Sequence, residues 1–354
     1  MRQYLYLVMT DQIDGALACV VKIALWILSV FYGMLVRGNV WLYKIKIKKQ
    51  TRLPKPVISV GNMTWGGAGK TPLVEYLAKV IKQMGYKPVI LTRGYMGGKN
   101  RQIESDEAKM LEGSLGDVPV LVGPNRAKNA LEFLKTHPAD VFILDDGFQH
   151  LCLYRDLNLV AIDAMNPWGN TFLLPRGILR ESLDALQRAD MFIVTKKDLA
   201  DKNTLKELKG QLASILPQKP VIEANHHSVD LWDLRTQETK ELSFIAGKNV
   251  CCFCSIASPQ SFEQVLIDLK AHIQKKIVFL DHHVYEKNDV EEIVQYCRRY
   301  RIAILVTTMK DAVKIKKFLD HIDENILILA LRIEISVQDG KDVLFGRISS
   351  LIQH

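Results

Sequence analysis

Residues 57–72 constrain the fold of this chain more than any other stretch. An apolar strand, Val57-Ile58-Ser59-Val60, runs into Gly61-Asn62-Met63-Thr64-Trp65-Gly66-Gly67-Ala68-Gly69-Lys70-Thr71-Pro72. Strand, glycine-rich turn, lysine and hydroxyl, in that order, cradle a nucleotide triphosphate. The glycines let backbone N–H groups approach the phosphates, and a helix that begins at Lys70 points the positive end of its dipole at the same anion. In such a loop Lys70 reaches the β- and γ-phosphates and Thr71 ligates Mg²⁺. The usual loop carries glycine where this chain has Thr64, so the flexibility has to come from Gly66 and Gly67. A ligand-free turn between strand and helix would leave Lys70-Thr71 without a purpose.

The surrounding pattern fits a sheet built for such a loop. Short apolar runs at 57–60, 89–92, 118–122, 141–144, 157–162 and 191–195 alternate with amphipathic stretches, notably 71–84 and 126–136. Strands apolar on both faces belong to a parallel sheet covered by helices. The expected fold is therefore α/β, a doubly wound parallel sheet with its ligands at the carboxyl ends of the strands. Polarity rises around 225–240, and a second αβ series follows: strands at 250–255, 277–280, 302–307 and 326–331, helices at 259–273, at 290–300 and from 310. At 354 residues the chain has room for two such units. The expected division is 1–52, 53–224 as the phosphate-loop core, 225–245 as linker, and 246–354 as a smaller C-terminal α/β lobe.

Residues 1–52 form a separate problem. Between 15 and 36 there is one charge, Lys22, and then 37–52 carries Arg37, Lys44, Lys46, Lys48, Lys49 and Arg52 with no acid. Trp41 and Tyr43 stand at the junction. Apolar helix, aromatic collar and basic run predict an anchor at an anionic leaflet, with the rest of the chain on the cytoplasmic side. Asp11 and Asp14 ahead of the apolar run, and no small-residue cleavage site after it, argue against a signal peptide. Lys22 in mid-run favours a partly inserted helix. The formal net charge of +8 points to an acidic partner without naming one. Cys251, Cys252 and Cys254 lack a second Cys/His pair at zinc spacing and read as small core residues of a strand.

Other residues could carry chemistry. The strand at 141–144 ends in Asp145-Asp146, and adjacent carboxylates are costly unless a cation neutralises them, so a Mg²⁺ site is expected there. Gly147-Phe148-Gln149-His150 continues into a turn whose polar groups could face that site. Thr92-Arg93-Gly94-Tyr95 leaves the next strand where an arginine could bind an anionic substrate. Asp281-His282-His283 follows a strand of the second series and could supply a base or proton relay. Thr195-Lys196-Lys197-Asp198 and Thr308-Met309-Lys310-Asp311 also end strands. The first faintly resembles a guanine-reading motif, but with Thr in place of Asn.

Together these segments resemble the tetraacyldisaccharide 4'-kinases of lipid A biosynthesis, over most of the chain. The resemblance rests on Val60 through Pro72, Thr92-Arg93-Gly94-Tyr95, Leu144 through His150, Leu174-Pro175-Arg176-Gly177-Ile178-Leu179-Arg180-Glu181 and Asp281-His282-His283. The family loop lacks its first glycine, as here at Thr64, and the family carries an N-terminal anchor helix. The resemblance implies transfer of the ATP γ-phosphoryl group to the 4'-hydroxyl of a tetraacyldisaccharide 1-phosphate. It assigns nucleotide binding to Gly61, Asn62, Thr64, Gly66, Gly67, Ala68, Gly69, Lys70 and Thr71, and the metal to Thr71, Asp145 and Asp146. It implies acceptor contacts at Arg93, Gly94, Tyr95, Gln149, His150, Arg180 and Glu181. Asp106, in Ser105-Asp106-Glu107-Ala108, matches a family Gly-Asp-Glu-Pro and becomes the general base, paired with His282 or His283. Substitutions at Ser105, Ala108, Ser255 and Met309 mark a diverged member. The expected partners are ATP, Mg²⁺, a lipid disaccharide and the cytoplasmic face of a bacterial inner membrane, with no nucleic acid and no protein partner. The rival expectation is a membrane-recruited phosphate-loop switch, an ATPase or GTPase acting through a protein; it needs the same loop but neither the Arg-Gly-Tyr turn nor the Asp-His-His turn.

Overall fold

The computed structural model describes residues 7–94, 106–256, 259–280, 283–337 and 339–353, with the backbone alone at Asp106, Glu107 and Lys109. The chain divides into two compact units. The first comprises Met1–Ile103, Ser114–Asn225 and Ile335–His354; the second comprises Glu104–Gly113 and His226–Glu334.

The first unit opens with helix α1, Ala16–Lys44, 29 residues and about 43 Å long. It runs further than the apolar stretch alone suggests, because 37–44 contains no proline and its charges tolerate a helix. Among the described residues it is the one helix long and apolar enough to cross a membrane. Ala18, Ser29 and Gly33 are its buried residues, while Leu17, Val20, Trp26, Phe31 and Leu35 are exposed.

Strand β1, Val57–Asn62, is buried at every position and leads to α2, Lys70–Gln83. Then follow β2 Pro88–Thr92, α3 Asp106–Leu115, β3 Val120–Val122, α4 Arg126–Phe133, β4 Val141–Asp145, β5 Leu157–Asp163, β6 Met191–Thr195, α5 Lys202–Ile215 and β7 Val221–Asp233, which belongs to this unit as far as Asn225. The strands stand in the order β7-β6-β5-β1-β4-β2-β3, and every pairing among them is parallel. β1 lies near the centre between β4 and β5, so the loop after it emerges at the middle of the carboxyl edge, where ligands bind in doubly wound sheets. Its register with β4 sets Val60 beside Asp145. α2 covers the sheet with Leu73, Val74, Leu77, Ala78 and Ile81, all buried at helical spacing. The fold is α/β with a mostly parallel sheet and an N-terminal apolar helix, as the strand pattern predicts.

The second unit adds β8 Thr239–Lys240, β9 Asn249–Cys254, α6 Pro259–Asp268, β10 His272–Val278, α7 Lys287–Arg299, β11 Ile304–Thr308, α8 Met309–Ile315 and β12 Leu327–Val337. β10, β9, β11 and β12 pair in parallel in that order. On β9, Cys251 and Phe253 join a core with Tyr285, Ile293 and Cys297. Cys252 and Cys254 face the opposite core with Phe262 and Leu266. The cysteines thus fill both faces of one buried strand.

Three expectations need correction. The units divide between Asn225 and His226, inside the expected linker 225–245, but that range is ordered: β7 runs to Asp233 and its end pairs antiparallel with β8, so the polar alternation there is that of a half-exposed strand. The helix from Pro259 stops at Asp268, and the next strand is His272–Val278; its polar residues lie on an edge strand, which hides it from an apolar-run search. The final helix α9, Lys341–Gln353, groups with the first unit, where Leu344 and Ile348 are buried and Phe345 stacks on Tyr76. Most of α3 groups with the second unit.

Candidate active site

The loop between β1 and α2 is shaped by glycines at two points. Gly69 caps α2 in the left-handed region, φ 74°, where a side chain is strained. A Cβ on Gly61 would meet the Phe148 Cβ at 2.4 Å, so the strand end and the turn after β4 touch backbone to backbone. Asn62 is fully buried and ties the loop to itself: its amide donates to Thr64 O at 2.8 Å. Thr195, at the end of β6, donates to Ala68 O at 3.1 Å. The loop is braced from the other side by 178–180, where Trp65 N–H donates to Ile178 O (2.6 Å) and Arg180 N–H to Met63 O (2.8 Å).

Around this loop the charges alternate. The Lys70 ammonium lies 3.0 Å from Asn62 Oδ1 and 3.4 Å from Asp146 Oδ1. Arg180 Nη1 donates to both Asp146 oxygens at 2.9 Å and to Gln149 Oε1 at 3.4 Å. Burial alone would raise the Asp146 pKa; Lys70 and Arg180 outweigh it and hold the carboxyl down at about 2. Asp146 sits at φ 49°, a strained value for a residue other than glycine. Asp145 is buried and accepts from Thr92 Oγ1 at 3.3 Å. Buried Arg126, at the start of α4, donates to the Asp145 carbonyl at 3.3 Å. Burial lowers the Arg126 pKa against the opposing pull of Asp145 and Asp146.

Arg155 donates to the carbonyls of Gly147 and Phe148 at 3.2 and 3.0 Å, and burial brings its pKa down to about 10. His150 stands 3.1 Å from Cys152 Sγ. Burial, with Arg126, Arg155 and Arg93 nearby, lowers its pKa to about 4 and keeps it neutral. A carboxylate pair set among arginines and a lysine suits a polyanion bound together with a cation.

The structure brings together Asn62, Lys70, Asp146, Gln149 and Arg180 in one bonded cluster, with Asp145 and Thr92 in a second. Glu181 is buried and its carboxylate accepts two bonds from Arg188 at 2.7 and 2.8 Å. Tyr95, Asp281, His282 and the Asp106 side chain lie outside the described residues. His283 belongs to the second unit; its Nε2 is 2.9 Å from Asp289 Oδ2 and its ring stacks on Phe279. Sequence reasoning missed Arg126 and Arg155, and it named Thr92 and Thr195 only as members of motifs, without a bond of their own. Thr92 and Thr195 each open a motif that ends a strand, whereas a lone arginine opening a helix, such as Arg126, gives no local signal.

Comparison with known proteins fits this geometry. The family model for tetraacyldisaccharide-1-P 4'-kinase, LpxK, matches residues 21–350. The chain is 36% identical to the tetraacyldisaccharide 4'-kinase of Halothermothrix orenii, over 91% of each chain. It is 38% identical to that of Syntrophus aciditrophicus, over 82% of this chain and 83% of the relative. The crystal structure of LpxK from Aquifex aeolicus in complex with ATP superposes with a TM-score of 0.70 at 27% identity, covering 94% of this chain and 99% of that one. Phosphate loop, acid pair and full-length similarity agree: the chain belongs to the tetraacyldisaccharide 4'-kinase family and is a lipid kinase.

Proposed function

We propose that this protein transfers the γ-phosphoryl group of ATP to the 4'-hydroxyl of a tetraacyldisaccharide 1-phosphate. The observation that carries this reading is the Lys70–Asp146–Arg180 cluster at the mouth of the loop capped by Gly69. Such a cluster holds phosphates in line by charge and backbone N–H groups, which is where most phosphoryl-transfer acceleration arises. The ATP complex of the Aquifex aeolicus relative supports the choice of nucleotide.

Asp145, Asp146 and Thr71 offer hard oxygen donors beside the phosphate positions, a set that fits Mg²⁺. Among the described residues no group of three or more His, Cys, Asp or Glu converges as a zinc site would require. Bound there, the ion would neutralise charge on the phosphates. Arg93, Gln149, His150 and Arg180 offer donors to a sugar phosphate and Gly94 follows at the end of β2, while Tyr95 is carried as an acceptor contact by the resemblance alone. Glu181, held by Arg188, keeps the Arg180 segment in place. Asp106 accepts the hydroxyl proton, and a histidine of the 281–283 turn passes it on, contributing about 10²–10⁴ in rate.

Helix α1 holds the enzyme where an acylated acceptor resides. Its middle, at Ser29 and Gly33, is buried, and Lys22 bridges Asp11 at 2.9 Å. Both features support a helix lying along the first unit with its apolar face in the cytoplasmic leaflet, next to the basic run that ends at Arg52.

Purified protein with ATP and Mg²⁺ should phosphorylate the tetraacyldisaccharide 1-phosphate in detergent micelles. Hydrolysis without transfer, stimulated by a protein partner, would replace the kinase reading with that of a switch. Asp106→Ala should lower kcat at least about 10-fold with little change in ATP affinity; wild-type turnover would remove Asp106 as the base. Deleting residues 1–36 should release the protein from membranes, and full retention would sink the anchor.

A further inference from the structure

Arg180 is gripped at three points by three separate segments of the first unit. Its N–H donates to Met63 O of the phosphate loop at 2.8 Å. Its guanidinium bonds both oxygens of Asp146. Its carbonyl accepts from the hydroxyl of Tyr32, in the middle of α1, at 2.9 Å. The neighbouring residues repeat this bridging. Thr64 pairs with Leu179 as an antiparallel bridge. On the other side, Gly33 lies so close that a Cβ there would come within 2.7 Å of Leu173 Cδ1. Asn170 and Arg176 both bond Asp11, ahead of the helix, at 2.7 and 2.8 Å.

The hydroxyl is the informative atom. A phenyl ring would serve an apolar helix face equally well, and a phenol partly removed from water is costly unless it is bonded. The bond that compensates it ends on the residue that also holds the loop and the acid.

We propose that Tyr32 is a positioning residue for phosphoryl transfer. Through the Arg180 carbonyl, α1 sets the loop at 61–71 and the Asp146 carboxylate, so the helix tunes the nucleotide site as well as holding the protein to a membrane. The proposal rests on the kinase reading for its turnover readout, and nucleotide affinity tests it independently of the acceptor.

The experiment uses the full-length protein in detergent micelles, with a fluorescent ATP analogue for affinity, transfer kinetics for turnover and vesicle flotation for membrane binding. Tyr32→Phe should weaken ATP-analogue binding and lower kcat, each by about 3- to 10-fold, the scale of one hydrogen bond. The lipid KM and flotation should stay at the wild-type level. In an Arg180→Ala background the Tyr32→Phe effect should shrink without vanishing, because the path to Asp146 is cut while the backbone bond to Met63 O remains. Gly33→Val, which pries α1 from Leu173, should act in the same direction and more strongly. Wild-type affinity and turnover in Tyr32→Phe would overturn the proposal, as would an effect that persists undiminished in the Arg180→Ala background. If the wild type shows no transfer, the acceptor reading fails, and analogue affinity still decides the role of Tyr32.

Discussion

Asp146 and Asp311 stand in parallel situations in the two units. Each follows the carboxyl end of a parallel strand, and each has a lysine ammonium close by, Lys70 at 3.4 Å and Lys314 at 3.3 Å. Their surroundings differ. Asp146 keeps a side chain 39% exposed, and its partners are the tips of two long cations. Asp311 is fully buried. It accepts from the Ser255 N–H (2.8 Å), the Thr308 hydroxyl (2.9 Å) and the Ser255 hydroxyl, and Lys314 in turn donates to Ser255 Oγ at 2.8 Å. Asp146 can exchange a protein cation for a ligand-borne one. Asp311 has every lone pair engaged by groups fixed in the backbone or the core, and serves to lock β9 to α8. An acid at a strand end is chemistry only where its partners can be replaced.

Substitutions can break this contrast. Lys70→Ala should have the largest effect, a loss of about 10³-fold in turnover, because a charge aimed at the transferring phosphates is removed. Thermal unfolding should move less than in Asp311→Ala, since half-exposed Asp146 keeps Arg180 and, among the described residues, only Asn62 Oδ1 loses a donor. A large drop in melting temperature would make Lys70 structural, like Lys314. Asp311→Ala should do the reverse. It leaves the Lys314 ammonium buried without its acid and should cost about 3–5 kcal/mol in urea unfolding of the full chain, with folded protein at low temperature retaining its ATP affinity. Unchanged stability would dissolve the distinction.

The smallest effect concerns pH. His150 has its pKa lowered from 6.5 to about 4 in the folded protein, so the unfolded chain binds more protons between those values. Its contribution to stability therefore falls as pH drops from about 6.5 toward 4 and changes no further below that. His150→Gln should flatten the melting-temperature profile in that window and leave it unchanged above pH 7. An unchanged slope would show that the ring titrates as an exposed histidine does.

The sequence made the first unit legible because its evidence is local. Strand, glycine turn and Lys70-Thr71 are contiguous, and Asp145-Asp146 ends an unbroken apolar run. What it hid depends on distant partners. Thr195 meets Ala68 only because β6 and the loop share the carboxyl edge. Arg126 reaches Asp145 only through the placing of α4. The apolar signal places β10 late, at 277–280, because His272, Gln274, Lys275 and Lys276 face water on an edge strand, where apolar periodicity vanishes. Glu181 enters the expected site through the resemblance alone, and its bond to Arg188, seven residues on, gives no sign of itself in the sequence.

The placing of α9 bears on how the chain is made. Residues from Ile335 onward belong to the first unit, so the unit that carries the phosphate loop is discontinuous along the chain. During synthesis α1 and the β1–α2 loop are translated long before Phe345 can stack on Tyr76. The nucleotide unit thus stays incomplete until the second unit has been translated. A nonsense mutation after residue 334 would therefore strip α2, the helix that opens at Lys70, of its packing against Phe345.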